Sequence, residues 1–205
     1  MPPAAKLGLM LISTLLILQL FVLLNPLSSA PFLISMQKHG VNVRGVASRA
    51  VLTALLVALA IAIAGQWLFQ LFGITQNSFR VAGGVVIMLL GLETIRGRDE
   101  AAPTSGALDN YIAILATPIL TGPATMSFIT LKTYEEGMLK VIVNLLIAFV
   151  GVAGVMYLLT ATIARLNTRL VGIISRILGL FLTAMAVEMM AKGLEGLIRE
   201  ALHAG

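Results

Sequence analysis

The chain alternates long apolar stretches with short polar punctuation, and the lengths of those stretches decide its class. Runs with few or no charges cover about 7–37, 50–72, 79–95, 111–131, 141–164 and 170–191. A helix needs roughly 20 mainly apolar residues, at 1.5 Å each, to cross about 30 Å of hydrocarbon. Each run meets that need, so the pattern predicts six membrane spans. The first run, as one unbroken helix, would measure roughly 47 Å and overshoot the bilayer. It contains Asn25-Pro26 and Pro31, and two prolines within one span predict a break midway. In the second run the alanines at 58, 60, 62 and 64, followed by Gly65, predict close helix contact, and residues 73–77 a turn. The fourth run is interrupted by Pro118, Gly122 and Pro123. A polar linker at 98–109, with Pro103 and Gly106, separates the first three spans from the last three, and a short tail follows at 194–205. The predicted fold is a single all-α integral membrane domain whose first and fourth helices are discontinuous.

The two groups of three spans resemble each other. Asn25-Pro26 with Pro31, and Thr117-Pro118 with Pro123, are proline pairs five residues apart, each pair preceded by a small polar residue, at an offset of 92. Arg80, Gly83, Arg96 and Gly97 match Arg176, Gly179, Lys192 and Gly193 at an offset of 96. Repeat one then covers 7–97 and repeat two 110–193. Each holds an odd number of spans, so the second enters the membrane from the opposite side, giving an inverted-topology pair.

Composition narrows the function classes. A hydrophobic fraction of 59% with 11% charged residues leaves little chain for a soluble domain. The net charge of +5 is scattered between apolar runs, which reads as headgroup and topology signals, with no nucleic-acid footprint. The loops carrying Lys38, Arg44 and Arg49, and Arg165 and Arg169, are basic without acids. That places them in the cytoplasm and both termini outside, in a multi-pass protein of the cytoplasmic (inner) membrane. Lys6, its apolar run and Ser28-Ser29-Ala30 mimic a signal peptide, but the run is too long and Pro31 would follow the cut. There is no cysteine, and His39 and His203 lie in a loop and at the terminus. A nucleophile–base pair or a metal centre within the spans is therefore not expected, nor is an enzyme or a cofactor.

The broken spans carry the candidate chemistry. Unwound backbone at bilayer depth is tolerated only against protein or a water-filled cavity, so the breaks should face inward. Asn25-Pro26 and Thr117-Pro118 each read as a helix N-cap with proline at the first helical position, with Thr121-Gly122-Pro123 as a second start in span four. A half-helix N-terminus offers free N–H groups to a carboxylate, while freed carbonyls suit an ammonium or a cation. A small zwitterion suits both. The candidate substrate-binding residues are Asn25, Pro26, Ser28, Ser29, Thr117, Pro118, Thr121 and Gly122. Arg80, Glu93, Arg176 and Glu188 stand within or near the hydrocarbon and are candidates for coupling or gating. Inversion would bring Arg80 to the membrane side of Glu188, and Arg176 to that of Glu93. A buried glutamate with a raised pKa would carry a proton, and the candidate coupling ions are H+ and Na+.

These motifs resemble those of the MarC/SnatA family of six-span membrane proteins. The resemblance rests on Asn-Pro-x-x-x-x-Pro-Phe at 25–32, on Phe79-Arg80-Val-Ala-Gly-Gly through Gly91-Leu-Glu93 to Ile95-Arg96-Gly97, and on Ala116-Thr-Pro118-Ile-Leu-Thr-Gly-Pro123-Ala. It covers nearly the whole chain. The resemblance implies a 3+3 inverted fold and transport of small neutral amino acids such as glycine and alanine. The sequence departs from the commoner pattern at Ser28, Thr121 and Ala124, which line the proposed site. The expected partners are a small neutral amino acid and the lipid bilayer, with the oligomeric state open. The expected activity is secondary transport by alternating access, and a channel or exporter for another small polar solute is the alternative.

Overall fold

The computed structural model describes residues 11–38, 40–96, 122–163 and 168–203. All regular structure among them is helical. We number the helices α1 (Thr14–Leu24), α2 (Ala30–Lys38), α3 (Val43–Phe72), α4 (Gln76–Arg96), α5 (Pro123–Glu136), α6 (Met138–Thr162) and α7 (Thr168–His203), with a 3-10 turn at Pro26–Ser29 between α1 and α2. Stretches of α3, α4, α6 and α7 are each long and apolar enough to cross a membrane, and Thr14–Ser29 is a shorter apolar helix. The chain is a multi-pass integral membrane protein. Leu16, Leu20, Ile129 and Leu145 fill the core, while Leu18, Leu56, Val150 and Leu180 point outward, apolar on both sides as a hydrocarbon solvent requires.

The helix ends differ from the apolar runs for local reasons. α3 begins at Val43 and not at 50, because the Asn42 side chain accepts a bond from Gly45 N–H at 3.2 Å and caps it. α4 begins at Gln76, with Thr75 Oγ1 accepting from Ser78 N–H at 3.2 Å. α5 runs past 131 to Glu136 through a charged last turn. The segment 194–205, expected as a tail, continues α7 as far as His203. Pairs one turn apart support it, Lys192–Glu188 at 2.9 Å and Arg199–Glu195 at 2.8 Å, and Asn77 Nδ2 donates to Glu200 at 2.7 Å.

Helices α4 and α7 are packed backbone to backbone. A Cβ added at Gly91 would stand 2.9 Å from the Gly179 carbonyl oxygen, and one at Gly179 would stand 2.9 Å from that of Gly91. Gly84 meets Ala186 O, and Gly193 meets Asn77 O. As one residue number rises its partner falls, so the pair is antiparallel, held by small residues as membrane helices often are. On α3 the buried alanines include 50, 54, 58 and 62, one per turn. Ala60 and Ala64, expected to join the contact, are exposed, because residues two apart point to different sides of a helix. Gly65 does pack closely, against Thr130 of α5.

α1 is anchored at its start by the fully buried Asn144 of α6. Asn144 Oδ1 accepts from Ser13 N–H at 2.8 Å, and its Nδ2 donates to Leu11 O and Lys140 O, both at 2.7 Å. Ser13 therefore lies at the same end of the bundle as the α5–α6 turn. His203 lies toward that end too, since Gly193 and Gly196 of α7 pack on Asn77 near the start of α4.

Candidate functional site

Span one does break at Asn25, by a different device from the one expected. Asn25 takes left-handed angles, φ 38 and ψ 63, and its N–H donates to Phe21 O at 3.1 Å, so it is the C-cap of α1. A residue before proline is pushed out of the right-handed helical region, and asparagine tolerates the left-handed one better than most. The chain then tightens into the 3-10 turn, where Ser28 N–H and Ser28 Oγ both donate to Asn25 O, at 3.1 and 2.8 Å. The Asn25 side chain caps nothing. The α-helical second half starts at Ala30, not at Pro26.

In span four the second half-helix starts at Pro123, with Gly122 as its N-cap at φ −65 and ψ 175. That selects the later of its two prolines as the start of the described helix. Thr117, Pro118 and Thr121 lie outside the described residues. Ala30 and Pro123 are 93 residues apart, within the offsets of the sequence repeat.

The break in span one and the start of α5 both lie deep. Phe21 packs on Gly151, near the middle of α6, and Asn25 is about one turn farther along. Ser127 packs on Gly83, roughly 10 Å into α4, and Pro123 lies a further 6 Å or so inward. Around the first break Asn25 is 3% exposed and Ser29 0%, and Pro26 is buried as well. Asn25 Oδ1 and Ser29 Oγ find no hydrogen-bond partner among the described residues. A buried polar atom left in that condition costs about 1–3 kcal/mol. Along α5, Thr125, Thr130 and Thr133 are also buried. The prolines of the sequence do not point to them. Their positions, which fall on one side of a helix in a stretch with few charges, were the available signal.

A cleft of about 690 Å³ lies between α1, α4, α5 and α7, lined among others by Gln19, Arg80, Lys132, Glu135, Glu188 and Lys192. It extends to Ala184 and Met185, near the middle of α7. Arg80 and Glu188 share this cleft as neighbours, and each is bonded elsewhere. Arg80 bonds Glu135 Oε1 through Nη2 at 2.6 Å and Nε at 2.9 Å, and Glu188 pairs with Lys192. Glu135 lies beyond 131, where the apolar run ends, so hydropathy gives no sign of it. Lys132 bridges Glu135 at 2.9 Å and Glu136 at 3.2 Å, and Lys140 holds Glu136 at 2.8 Å. Burial pushes the Glu135 carboxyl up, but the bonds and charges of Lys132 and Arg80 outweigh it and hold it below the usual range. Glu136, set between Lys140 and Lys132, is lowered in the same way against a similar burial penalty. Toward the opposite end, Glu93 and Arg176 are both exposed and come nearly level across the α4–α7 pair. Among the described residues no group of three or more His, Cys, Asp or Glu side chains gathers.

Comparison with known proteins agrees with this architecture. The family model described as MarC family integral membrane protein matches residues 10–198. The chain is 31% identical to a UPF0056 membrane protein of Methanocaldococcus jannaschii over 193 residues, covering 86% of this chain and 93% of the relative. It is 30% identical to a UPF0056 membrane protein of Aquifex aeolicus over 198 residues, 89% and 92% of the two chains. The UPF0056 inner membrane protein YhgN of Escherichia coli is 25% identical over 183 residues, 85% and 92%. No solved structure matches significantly. A family match over nearly the whole length, on an all-helical multi-pass molecule with its first span broken at Asn25-Pro26, gives the conclusion that the chain belongs to the MarC family of integral membrane proteins.

Proposed function

We propose that the chain is a secondary transporter of small neutral amino acids, of the glycine and alanine class, in the cytoplasmic membrane. It works by alternating access between two inverted three-span repeats, covering 7–97 and 110–193. The observation that carries this reading is the pair of buried polar atoms at the break of span one, Asn25 Oδ1 and Ser29 Oγ, which have no partner among the described residues. An amide oxygen is suited to an ammonium group, and the free N–H groups at the start of α5 are suited to a carboxylate. An α-amino acid carries both on one carbon, and a solute without a net charge has the smallest desolvation penalty there. On this reading Pro26, Ser28, Thr117, Pro118, Thr121 and Gly122 complete the wall of the site.

The packing supports the inverted repeat. Exchanging span one with four, two with five and three with six leaves the set of substantial inter-span contacts unchanged. α1 touches α6 as α5 touches α3, α4 touches α5 as α7 touches α1, and α2 touches α3 as α5 touches α6, while α4–α7 and α3–α6 map onto themselves. The basic loops put the Glu135 end, with both termini, outside. Glu93 and Glu188, both exposed on the α4–α7 pair, are the candidate proton or sodium coupling groups, with Arg80 and Arg176 as their cationic neighbours.

Purified protein in liposomes, given radiolabelled glycine, alanine, leucine and glutamate with and without proton or sodium gradients, tests the reading. Saturable uptake of glycine and alanine with counterflow is the expected result. Unsaturable single-channel currents would make it a channel, and transport of none of the four would end the amino-acid assignment.

A further inference from the structure

The cleft at the Glu135 end is lined by an ion pair that joins the two halves of the chain. Arg80 belongs to span three and Glu135 to span four, and their side chains are 22% and 21% exposed, well shielded for a charged pair at the end of a bundle. Three short bonds converge on the Glu135 carboxylate, two from Arg80 and one from Lys132. Asn77 Oδ1 accepts from Arg80 Nη1 at 3.0 Å, and Asn77 Nδ2 donates to Glu200 of α7. Arg80 is thus held on both sides, while the Lys132 and Lys140 pairs stay within the second half. α5 cannot move away from α4 without breaking the Arg80 bonds.

The sequence gives the opposite end no carboxylate at the matching position. At the repeat offsets Arg80 corresponds to Arg176, but Glu135 corresponds to residues 39–43, His-Gly-Val-Asn-Val, which hold no carboxylate. Inverted repeats that lock one end and leave the other without the same lock favour one access state at rest.

We propose that the Arg80–Glu135 pair, steadied by Asn77 and Lys132, is the closure lock of the Glu135 face, and that the opposite face closes without a charged counterpart at this position. The proposal rests on the alternating-access reading, and its test is read separately from transport. The chain has no cysteine, so Ser29→Cys, at a buried position beside the break, becomes the single thiol. Its labelling by a membrane-impermeant maleimide is followed in intact cells and in inverted vesicles, which present the two faces in turn.

With Glu135→Gln or Arg80→Gln added, labelling from the Glu135 face should rise at least fivefold. Arg199→Gln, which breaks an exposed pair at the same end, should leave it within twofold of the parent. As a second arm, Arg80→Cys with Glu135→Cys, bridged by a reducible bifunctional thiosulfonate in a chain keeping Ser29, should stop flux until reductant is added. Unchanged Ser29→Cys labelling in both Gln variants, or labelling that rises equally from both faces, would overturn the lock. Faster labelling from one face, with no amino-acid flux in the unsubstituted chain, would leave the lock standing and sink the transport reading.

Discussion

Replacing Gly91 by alanine puts a methyl group where two helices already touch. The new Cβ would stand 2.5 Å from Thr183 Oγ1 and 2.9 Å from both Gly179 O and Thr183 N. Ordinary carbon contacts begin near 3.5 Å, so α4 and α7 would have to part by several tenths of an ångström. Thr183 cannot simply swing aside without cost, because its hydroxyl donates to Gly179 O at 3.0 Å. Overpacking of this kind costs about 1–3 kcal/mol, or roughly a 5- to 150-fold loss in the folded-to-unfolded ratio. Gly154 of α6 is the internal control. A Cβ there meets nothing within 4 Å, so Gly154→Ala should stabilise by up to about 1 kcal/mol through helix propensity alone. The assay is thermal unfolding of the two variants and the parent in one detergent. Gly91→Ala should melt several degrees lower and Gly154→Ala at or above the parent. If the two melted together, the backbone contact between spans three and six would not exist as described.

Asn144→Ala removes the acceptor for Ser13 N–H and the donor to Leu11 O, and should destabilise by roughly 2–4 kcal/mol. Chemical unfolding in detergent checks it, and a loss below about 0.5 kcal/mol would show that α1 is not anchored there. Asn25→Ala and Ser29→Ala delete buried atoms that have no described partner, a gain offset by lost packing and, at Asn25, by the left-handed backbone, so unfolding midpoints should change little while uptake of alanine falls at least tenfold. Equal losses in stability and uptake would make the break structural. For Glu135 the folded pKa lies below the usual 4.5, so its contribution to stability is fully present above about that pH and is lost as pH falls through the lowered value. Melting temperature should therefore drop on acidification below about pH 4.5, and by less in Glu135→Gln than in the parent.

The membrane class and most spans were legible because hydrocarbon imposes a length, and residue counting reads a length well. The break in span one was legible because Asn25-Pro26 removes both a donor and the helical region at adjacent positions. Its inner geometry was not, since cap and turn share the same residue types, and only coordinates separate a left-handed C-cap at Asn25 from an N-cap. Cross-helix partners were harder still. Arg80 and Glu188 line one cleft, but which carboxylate takes the guanidinium depends on the last turn of α5, beyond the end of the apolar run. The α7 extension stayed hidden because its ion pairs hold a polar helix that hydropathy alone ends near 191.

The central claim is that Asn25 and Ser29, at the break of span one, hold a small zwitterion. Equilibrium binding of labelled alanine to the purified full chain tests it most directly. The account predicts saturable binding, displaced by glycine and not by glutamate, and lost in Asn25→Ala and Ser29→Ala proteins whose unfolding midpoints match the parent. Binding of alanine with unchanged affinity in both variants, or no binding of either neutral amino acid to the parent, would contradict it.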